Sequence, residues 1–593
     1  MTEAADGDPP GARDVARLLT EIGTLLELNG SDSFRTRAFA SAARSLEGLD
    51  VDLVALALDG RLTTLRGVGS GIEPVIREYL LTGRSTLREE LEAVTPLGLH
   101  DLMKVPGLGP KRIHRLYATL GVDSLDALEN AAAEGRIAAL PGFGPKTESR
   151  IREGIDFARA SRRLRLYPDG VQIARTLLEW LRSREDVEEA EIAGALRRRM
   201  EVVDAVELVA SSAAPRGVLR AFSTLQGAGP LDGYETGSAE IRLSDGMTAR
   251  LRCVPAGEFA GVLAWETGSE AHLAALSTLA RERGGDFDRG DLTLEGESIS
   301  LTRESDLYAS LGLQYVQPEL REGLDEIRLA AAGTLPTLVE EDQLTGAFHC
   351  HTTYSDGRAT LREMAEAARL RGWSYLGIAD HSRTAAYAGG LTVERIVEQH
   401  AEIDELNSRL ASKGDRFHVF KGIESDILPD GTLDYPDEVL ATFDYVVGSV
   451  HSSFGMTGDA MTERLIRAAR SPRLTILGHP TGRLLLRRAG YAFDFLAVLE
   501  AVAESGVVVE INADPRRLDL DWRRVREVVA RGVLIAVNPD AHSVAGLANV
   551  TFGIDVARKA GLEAPQLLNT WPLDEVAEYL EKRKRKGEAG TGG

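Results

Sequence analysis

Between residues 344 and 547, short apolar runs recur, and run after run ends in a histidine, aspartate or glutamate. Ala347-Phe348 leads into His349-Cys350-His351, Tyr375 to Ala379 into Asp380-His381, and Gly422-Ile423 into Glu424. Tyr445 to Val450 leads into His451, Leu474 to Leu477 into His479, and Ile535-Ala536-Val537 into Asp540 and His542. Amphipathic helical stretches separate the runs, and Val507 to Ile511 is a further run of the same kind. Strand–helix alternation folds as a parallel sheet or barrel, which gathers the residues after its strands at one end. Six of the eleven histidines of the chain occupy these places, which scattered core or surface histidines would not do. On a strand, His349 and His351 share a face while Cys350 points away. Asp356, in the turn Ser355-Asp356-Gly357, can fold a carboxylate back toward them. Imidazole with carboxylate suits manganese, zinc or iron. Isolated histidines such as His400 and His418 read as ordinary surface or core residues.

The rest of the composition narrows the function classes. At 593 residues the chain is long enough for about three to five domains. A formal net charge of -22 argues against coating nucleic acid by bulk charge, but leaves room for local basic patches. Two cysteines, Cys253 and Cys350, allow no disulfide framework and fit a reducing cytoplasm. No apolar signal-peptide core opens the chain, and no run of about 18 apolar residues spans a membrane. The tail cluster Lys582-Arg583-Lys584-Arg585-Lys586 reads as a solvated helix end, with a phosphate-backbone contact as the alternative.

Residues 14 to 94 show helical periodicity, with Val15, Leu18, Leu19, Ile22, Leu25 and Leu26 on one face and a second helix from Phe34 to Leu46. Two related segments follow, 35 residues apart: Val105-Pro-Gly107-Leu-Gly109-Pro-Lys111 and Leu140-Pro-Gly142-Phe-Gly144-Pro-Lys146. A fainter version runs from Leu65 to Gly71. The glycines permit a tight turn, and the helix that follows offers free N–H groups to an anion. A DNA phosphate suits that geometry and carries no sequence information. These segments resemble helix-hairpin-helix DNA-binding motifs, with Gly107, Gly109, Lys111, Gly142, Gly144 and Lys146 as the backbone contacts. Arg150, Arg152, Arg159, Arg162, Arg163 and Arg165 extend the phosphate track or form a solvated helix face.

Mixed α/β patterning follows from Leu166 to Leu313, with strands at Ala190 to Ala193, Val206 to Val209 and Ala249 to Val254 and a helix from His272 to Arg283. Gly194-Ala195-Leu196-Arg197-Arg198 with Glu201, and Thr267-Gly268-Ser269 with His272, resemble the nucleotidyltransferase signature of family X DNA polymerases. That family holds two divalent ions on an Asp-x-Asp pair and a third Asp. Here these positions read Ala205, Glu207 and Arg250, and the signature serine is Ala195. An arginine in place of a metal ligand is hostile to a bound cation, so the resemblance implies a degenerate polymerase domain. A shifted site on Asp204 and Glu207, still active in DNA-directed synthesis, is the alternative. Arg198 and Ser269 remain candidates to hold phosphate. The lysines of the family's lyase site are replaced by Gly71 and Val75, so Schiff-base chemistry is not expected.

The C-terminal pattern resembles the PHP (polymerase and histidinol phosphatase) superfamily, and all nine of its ligand positions are filled: His349, His351, Asp356, His381, Glu424, His451, His479, Asp540 and His542. The resemblance implies a distorted (β/α)7 barrel with three divalent ions, manganese ahead of zinc or iron. Asp356, His381, Glu424 and Asp540 are the catalytic candidates, Glu424 and Asp540 as bridges between ions. Asp380, Glu510 and Asn512 would orient ligands. Arg483, and Arg516 or Arg517, would clamp phosphate oxygens. Bound ions would lower the pKa of water and supply hydroxide near neutral pH.

The expected whole is a multidomain α and α/β protein. It comprises a helical DNA-binding domain (1–95), a helix-hairpin-helix region (96–165) and a nucleotidyltransferase-like palm and thumb (166–313). A linker (314–342), the PHP domain (343–580) and a basic, glycine-rich tail (581–593) follow. The expected function is a cytoplasmic, monomeric DNA-repair enzyme, a metal-dependent 3'-5' exonuclease that also cleaves beside abasic sites. Its partner is gapped, nicked or 3'-ended DNA. A histidinol-phosphate-type phosphatase and a non-catalytic DNA-binding scaffold are the rival readings.

Overall fold

A computed structural model describes residues 11–46, 51–161, 163–225, 229–232, 237–244 and 246–590. Arg162 lies outside them. The chain forms two compact units, Met1–Arg163 and Leu164–Gly593.

The first unit is all helical. Helices Ala12–Leu28, Ser33–Leu46, Leu53–Leu58, Glu73–Thr82 and Thr86–Val94 enclose a core that includes Val15, Leu18, Leu19, Ile22 and Leu26, the face that the periodicity picks out. A second core forms around Leu102, Ile113, Leu116, Leu128 and Ile151. Each such side chain, fully buried, contributes roughly 1.5–3 kcal/mol. Gly107 and Gly142 sit in the left-handed region at φ +85° and +79°, and the fainter repeat does the same at Gly67, φ +81°. Each of the two clear hairpins opens a helix with proline in its first turn, Pro110–Leu120 and Pro145–Ser161. Arg115 Nη1 donates to Pro141 O at 2.7 Å and so ties one hairpin to the other.

In the second unit, a sheet of five strands carries the palm-like region. Its neighbours run Glu189–Ile192, Ala205–Ser211, Thr248–Val254, Ser238–Arg242 and Gly229–Asp232, and the Ala205 and Thr248 strands are parallel. The segment 314–342, expected as a linker, packs instead as part of a helical cluster. Leu320, Ala330 and Leu338 join the core of Leu276, Phe287 and Leu307. The reason is Arg321, fully buried, which donates to Glu304 Oε1 at 2.6 Å and to Tyr315 Oη at 3.0 Å.

The C-terminal sheet has seven parallel strands in sequence order: β1 Gly346–Cys350, β2 Tyr375–Ile378, β3 His418–Asp426, β4 Tyr445–Ser449, β5 Ile476–Leu477, β6 Val508–Asn512 and β7 Ile535–Asn538. It comes nearly full circle: Cys350 bridges Ala541, and Phe348 N donates to Asn538 Oδ1 at 3.1 Å. Phe348, Tyr375, Phe420 and Tyr445 fill the barrel, and Val576 and Leu580 of the helix Leu573–Gly590 close it from below. The opposite end, after the C-termini of the strands, is left for chemistry.

That last helix decides the reading of the basic tail. Arg583 turns inward and donates to Ser505 O at 3.1 Å and to Leu474 O. Lys582 pairs with Glu578 at 2.6 Å and Arg585 with Glu581, one turn away in each case. Arg583 thus serves docking, and Lys582 and Arg585 serve helix pairing.

Candidate metal centre

Glu424, on β3, is the hub at the open end of the barrel. Its Oε1 lies 3.0 Å from His479 Nε2 and 3.2 Å from both His349 Nε2 and His451 Nε2, and its Oε2 lies 2.9 Å from His381 Nδ1. Asp540 Oδ1 lies 3.2 Å from His351 Nε2 and 3.6 Å from His349 Nε2. Asp356 Oδ1 lies 3.3 Å from His542 Nε2 and 3.7 Å from His381 Nε2. The nine side chains form four overlapping groups: His351-Asp356-His381-His542, His349-His351-Asp540, His349-Glu424-His479 and His381-Glu424-His451. Within each group the donor atoms lie within 4.8 Å of one another.

The backbone does not deliver these residues by plain strand alternation. His349, His479 and Asp540 all have positive φ, at 54°, 23° and 49°, and the β1–β2 register shifts between Ala347 and Cys350. His349 and His351 face the same centre because β1 bulges there. Three strained positions at one cluster mark a place that the surrounding structure over-determines.

Neighbouring groups fix the rings. Glu510 Oε2 lies 2.7 Å from His349 Nδ1, and Asp426 Oδ1 lies 2.5 Å from His451 Nδ1, so each imidazole keeps Nε2 aimed at Glu424. Asn512 Nδ2 donates to Glu510 Oε1 at 2.7 Å and to Asp540 Oδ2 at 3.0 Å. Asp380 accepts from Thr352, Ser355 and Gln399 and so braces the turn that carries Asp356.

Electrostatics make the cluster tight. Burial disfavours charge on Glu424 and Asp540, yet His451, His349 and His381 hold Glu424 well below the usual carboxylate range, and His349 and His351 do the same for Asp540. His542, opposed by burial but drawn by Asp356 and Asp540, rises to about 9. Burial, His542 and His381 push His351 down to about 3. Several inward atoms nevertheless have no hydrogen-bond partner: His349 Nε2, His351 Nδ1 and Nε2, His381 Nδ1, His479 Nδ1 and Glu424 Oε2. Each buried atom left so costs roughly 1–3 kcal/mol. Lone pairs aimed at a common point, among carboxylates, are the donor set of divalent metal ions, so the residues fit such a group.

The arginines do not all go where the sequence places them. Arg517 Nε lies 3.6 Å from Asp540 Oδ2, at the centre. Arg516 pairs with Asp514 at 2.9 Å. Arg483 turns away and donates to Arg517 O at 2.9 Å and to Leu518 O, with Glu201 Oε1 3.5 Å off. Arg198 donates to Thr267 O at 2.7 Å and to Glu322 at 3.0 Å, and Ser269 caps the helix Glu270–Glu282 through His272 N. Arg483, Arg198 and Ser269 are thus engaged in holding loops and helices, whereas Arg517 stays at the centre. Sequence reasoning passed over Asp426, although it shares a strand face with Glu424 two residues earlier.

In the palm-like region Glu207 and Arg250 are register partners across two strands, and Glu240 is the partner of Arg250 on the other side. Arg250 lies 2.9 Å from Glu240 and 3.5 Å from Glu207. Gly194, at φ +60°, backs directly onto Glu207, whose Oε2 lies 1.5 Å from where a Cβ would stand. Burial raises the Glu207 carboxyl against the pull of Arg250. Ala205 is buried on the same strand, and Asp204 precedes it, exposed.

In the hairpins, Gly107, Gly109, Lys111, Gly142 and Lys146 are exposed and Gly144 is half-buried. Arg152 instead donates to Ala132 O, and Arg159 pairs with Asp126 at 2.5 Å and Glu129 at 2.7 Å. These two arginines serve the fold of the unit.

Comparisons with known proteins cover the same regions. Residues 10–85 match a helix-hairpin-helix domain and 99–156 a SAM-like helix-hairpin-helix tandem. Residues 262–322 match the DNA polymerase beta thumb and 347–514 the PHP domain. The chain is 35% identical over 576 residues to the DNA polymerase/3'-5' exonuclease PolX of Bacillus subtilis (strain 168), covering 96% of this chain and 99% of that protein. It is 28% identical to a probable phosphatase of Thermoanaerobacter sp. (strain X514), over 40% of this chain and 95% of that protein. A probable phosphatase of Caldanaerobacter subterraneus is 30% identical over 40% of this chain and 92% of its own length. With its helix-hairpin-helix, thumb and PHP regions in one chain, the protein belongs to the bacterial family X DNA polymerases that carry a C-terminal PHP domain.

Proposed function

We propose that the chain is a metal-dependent 3'-5' DNA exonuclease of DNA repair whose palm holds gapped or nicked DNA without extending it. The observation that carries the reading is the convergence of nine imidazoles and carboxylates on one barrel end, with buried lone pairs unpartnered. His349, His351, Asp356, His381, Glu424, His451, His479, Asp540 and His542 would hold the ions, three in number, with manganese preferred. Such ions supply activated water and neutralise charge on a phosphoester.

The residues of the chain do the rest. Glu510 and Asp426 keep the Nδ1 protons of His349 and His451 turned outward. Arg517 stands over Asp540, where a planar guanidinium can take two phosphate oxygens. The hairpins grip the DNA backbone through Gly107, Gly109, Lys111, Gly142, Gly144 and Lys146. In the palm, the guanidinium of Arg250 stands between Glu207 and Glu240, where the family places a metal. This favours a degenerate site over one shifted onto Asp204, whose position before the strand points it to solvent.

The probable phosphatases among the relatives support a small phosphomonoester as the second reading. Manganese-loaded protein is offered labelled gapped DNA and histidinol phosphate side by side, with and without EDTA. The exonuclease reading expects EDTA-sensitive digestion of DNA and no phosphate release from histidinol phosphate. The reverse pattern supports the phosphatase, and silence toward both supports a scaffold.

A further inference from the structure

Tyr387 is the one large aromatic side chain at the rim of the metal centre that the fold leaves in solvent among the described residues. It is 74% exposed, yet its ring centroid lies 6.2 Å from that of His381, at 55° between planes. The loop that carries it is not a frayed connection. Its ends are joined by the bridge between Ser382 and Leu391, and Leu391 N donates to His381 O at 2.9 Å. Arg383 N donates to Tyr435 Oη at 3.1 Å, and that hydroxyl donates to Leu391 O at 2.5 Å. Thr384 N and Oγ1 donate to Asp434 and Asp426 at 2.8 Å each. Ala385, just before the 3-10 turn Ala386–Ala388, and Ala388, at its end, are both buried and flank the outward Tyr387. Backbone and flanking residues are thus fixed, and the exposed ring packs on nothing that the fold needs.

The place of the ring is defined by charge as well. The phenol lies within electrostatic reach of Glu424, Asp426, Asp356 and Arg517. A phosphodiester held at the ligand residues would lie near Tyr387, because the ring borders the ligand His381. An open aromatic face on a fixed backbone there suits the flat face of a nucleobase. Stacking of this kind tolerates every sequence, as an exonuclease requires.

We propose that Tyr387 is the stacking platform for the base of the 3'-terminal nucleotide, and so a substrate-binding residue for DNA as distinct from small phosphomonoesters. This rests on the reading of the barrel end as a DNA exonuclease. The full-length chain loaded with manganese is tested on single-stranded oligonucleotides that end either in a normal nucleotide or in an abasic tetrahydrofuran. Tyr387→Ala is expected to lower kcat/KM about tenfold on the base-bearing end, mainly through KM, and to leave the abasic end unchanged. Tyr387→Phe and Tyr387→Trp are expected to keep the preference. Equal loss on both ends, no loss on either, or loss in Tyr387→Phe equal to that in Tyr387→Ala overturns the proposal. A second readout needs no cleavage. With manganese present, a 3'-terminal phosphorothioate linkage that resists cleavage, and binding followed by the anisotropy of a distant dye, a 3'-terminal 2-aminopurine should be quenched at saturation by wild type and Tyr387→Trp but not by Tyr387→Ala. Binding without that difference also overturns it. If wild type digests no DNA while the quench is seen, the exonuclease reading fails and the platform stands.

Discussion

Replacing Arg250 by aspartate tests why the palm should be silent. The Arg250 guanidinium lies 2.9 Å from Glu240 and 3.5 Å from Glu207, so an incoming divalent ion on Glu207 would sit about 4 Å from a positive charge. Two unit charges at that distance interact by about 1 kcal/mol in water and about 4 kcal/mol near a protein surface, and a divalent ion doubles both. The Arg250 side chain is 45% exposed, which favours the lower half of that range. A penalty of about 2–4 kcal/mol follows, or roughly 30- to 1,000-fold in metal affinity. Arg250→Asp removes it and adds a carboxylate. Calorimetric titration of manganese into protein already saturated at the barrel site should show no second event in wild type and a weak one in Arg250→Asp. On gapped DNA with nucleotides, wild type should not extend a labelled primer. A second binding event in wild type, or templated extension lost on Glu207→Ala, refutes the reasoning.

Three further outcomes follow from contacts of the second unit and the hairpins. Arg199 pairs with Asp555 and, at 3.1 Å, with Glu319, so Arg199→Ala leaves buried carboxylates short of a partner. It should cost about 3 kcal/mol by chemical denaturation, and a loss below about 1 kcal/mol would show that the pair is idle. Asp555 is raised from 3.8 to about 6, by burial first and against the pull of Arg199. The folded protein therefore keeps a proton that the unfolded chain releases, and the contribution of Asp555 to stability falls as pH rises from about 4 to about 6. The gap corresponds to roughly 3 kcal/mol, so the stability difference between wild type and Asp555→Asn should change by about that much across the window, and a flat difference contradicts it. Gly107→Ala with Gly142→Ala forces side chains into φ +85° and +79°, at roughly 1–2 kcal/mol each. Fluorescence anisotropy should show weaker binding to gapped DNA, while digestion of short single strands persists.

The barrel was legible because burial on both faces of a parallel strand leaves an uninterrupted apolar run, and each of β2, β4, β6 and β7 lies within a residue of the run that marks it. The hairpins were legible because proline and glycine fix the turn locally, even in the faint repeat at Gly67. What escaped depends on long-range partners. Nothing near Arg321 in sequence announces Glu304 or Tyr315, so the segment 314–342 reads as a linker until the buried cation is seen. Arg483 and Arg198 look like free phosphate clamps, because the carbonyls and acids that engage them come from other elements. The bulge at His349 is invisible for a different reason. Alternation predicts one face for His349 and His351, but they reach it through a positive φ and a register shift that answer to packing around the centre.

The central claim, that the barrel end cleaves DNA and the palm does not make it, meets its most direct test in one measurement. Matched oligonucleotides labelled at the 3' or the 5' end are incubated with the full chain, manganese and nucleotides, alongside His349→Ala. The account predicts immediate release of the 3' label as mononucleotide, a descending ladder from the 5' label, no extended product, and loss of all digestion in His349→Ala with DNA binding retained. Extension of the 5'-labelled strand, or digestion that survives His349→Ala, contradicts it.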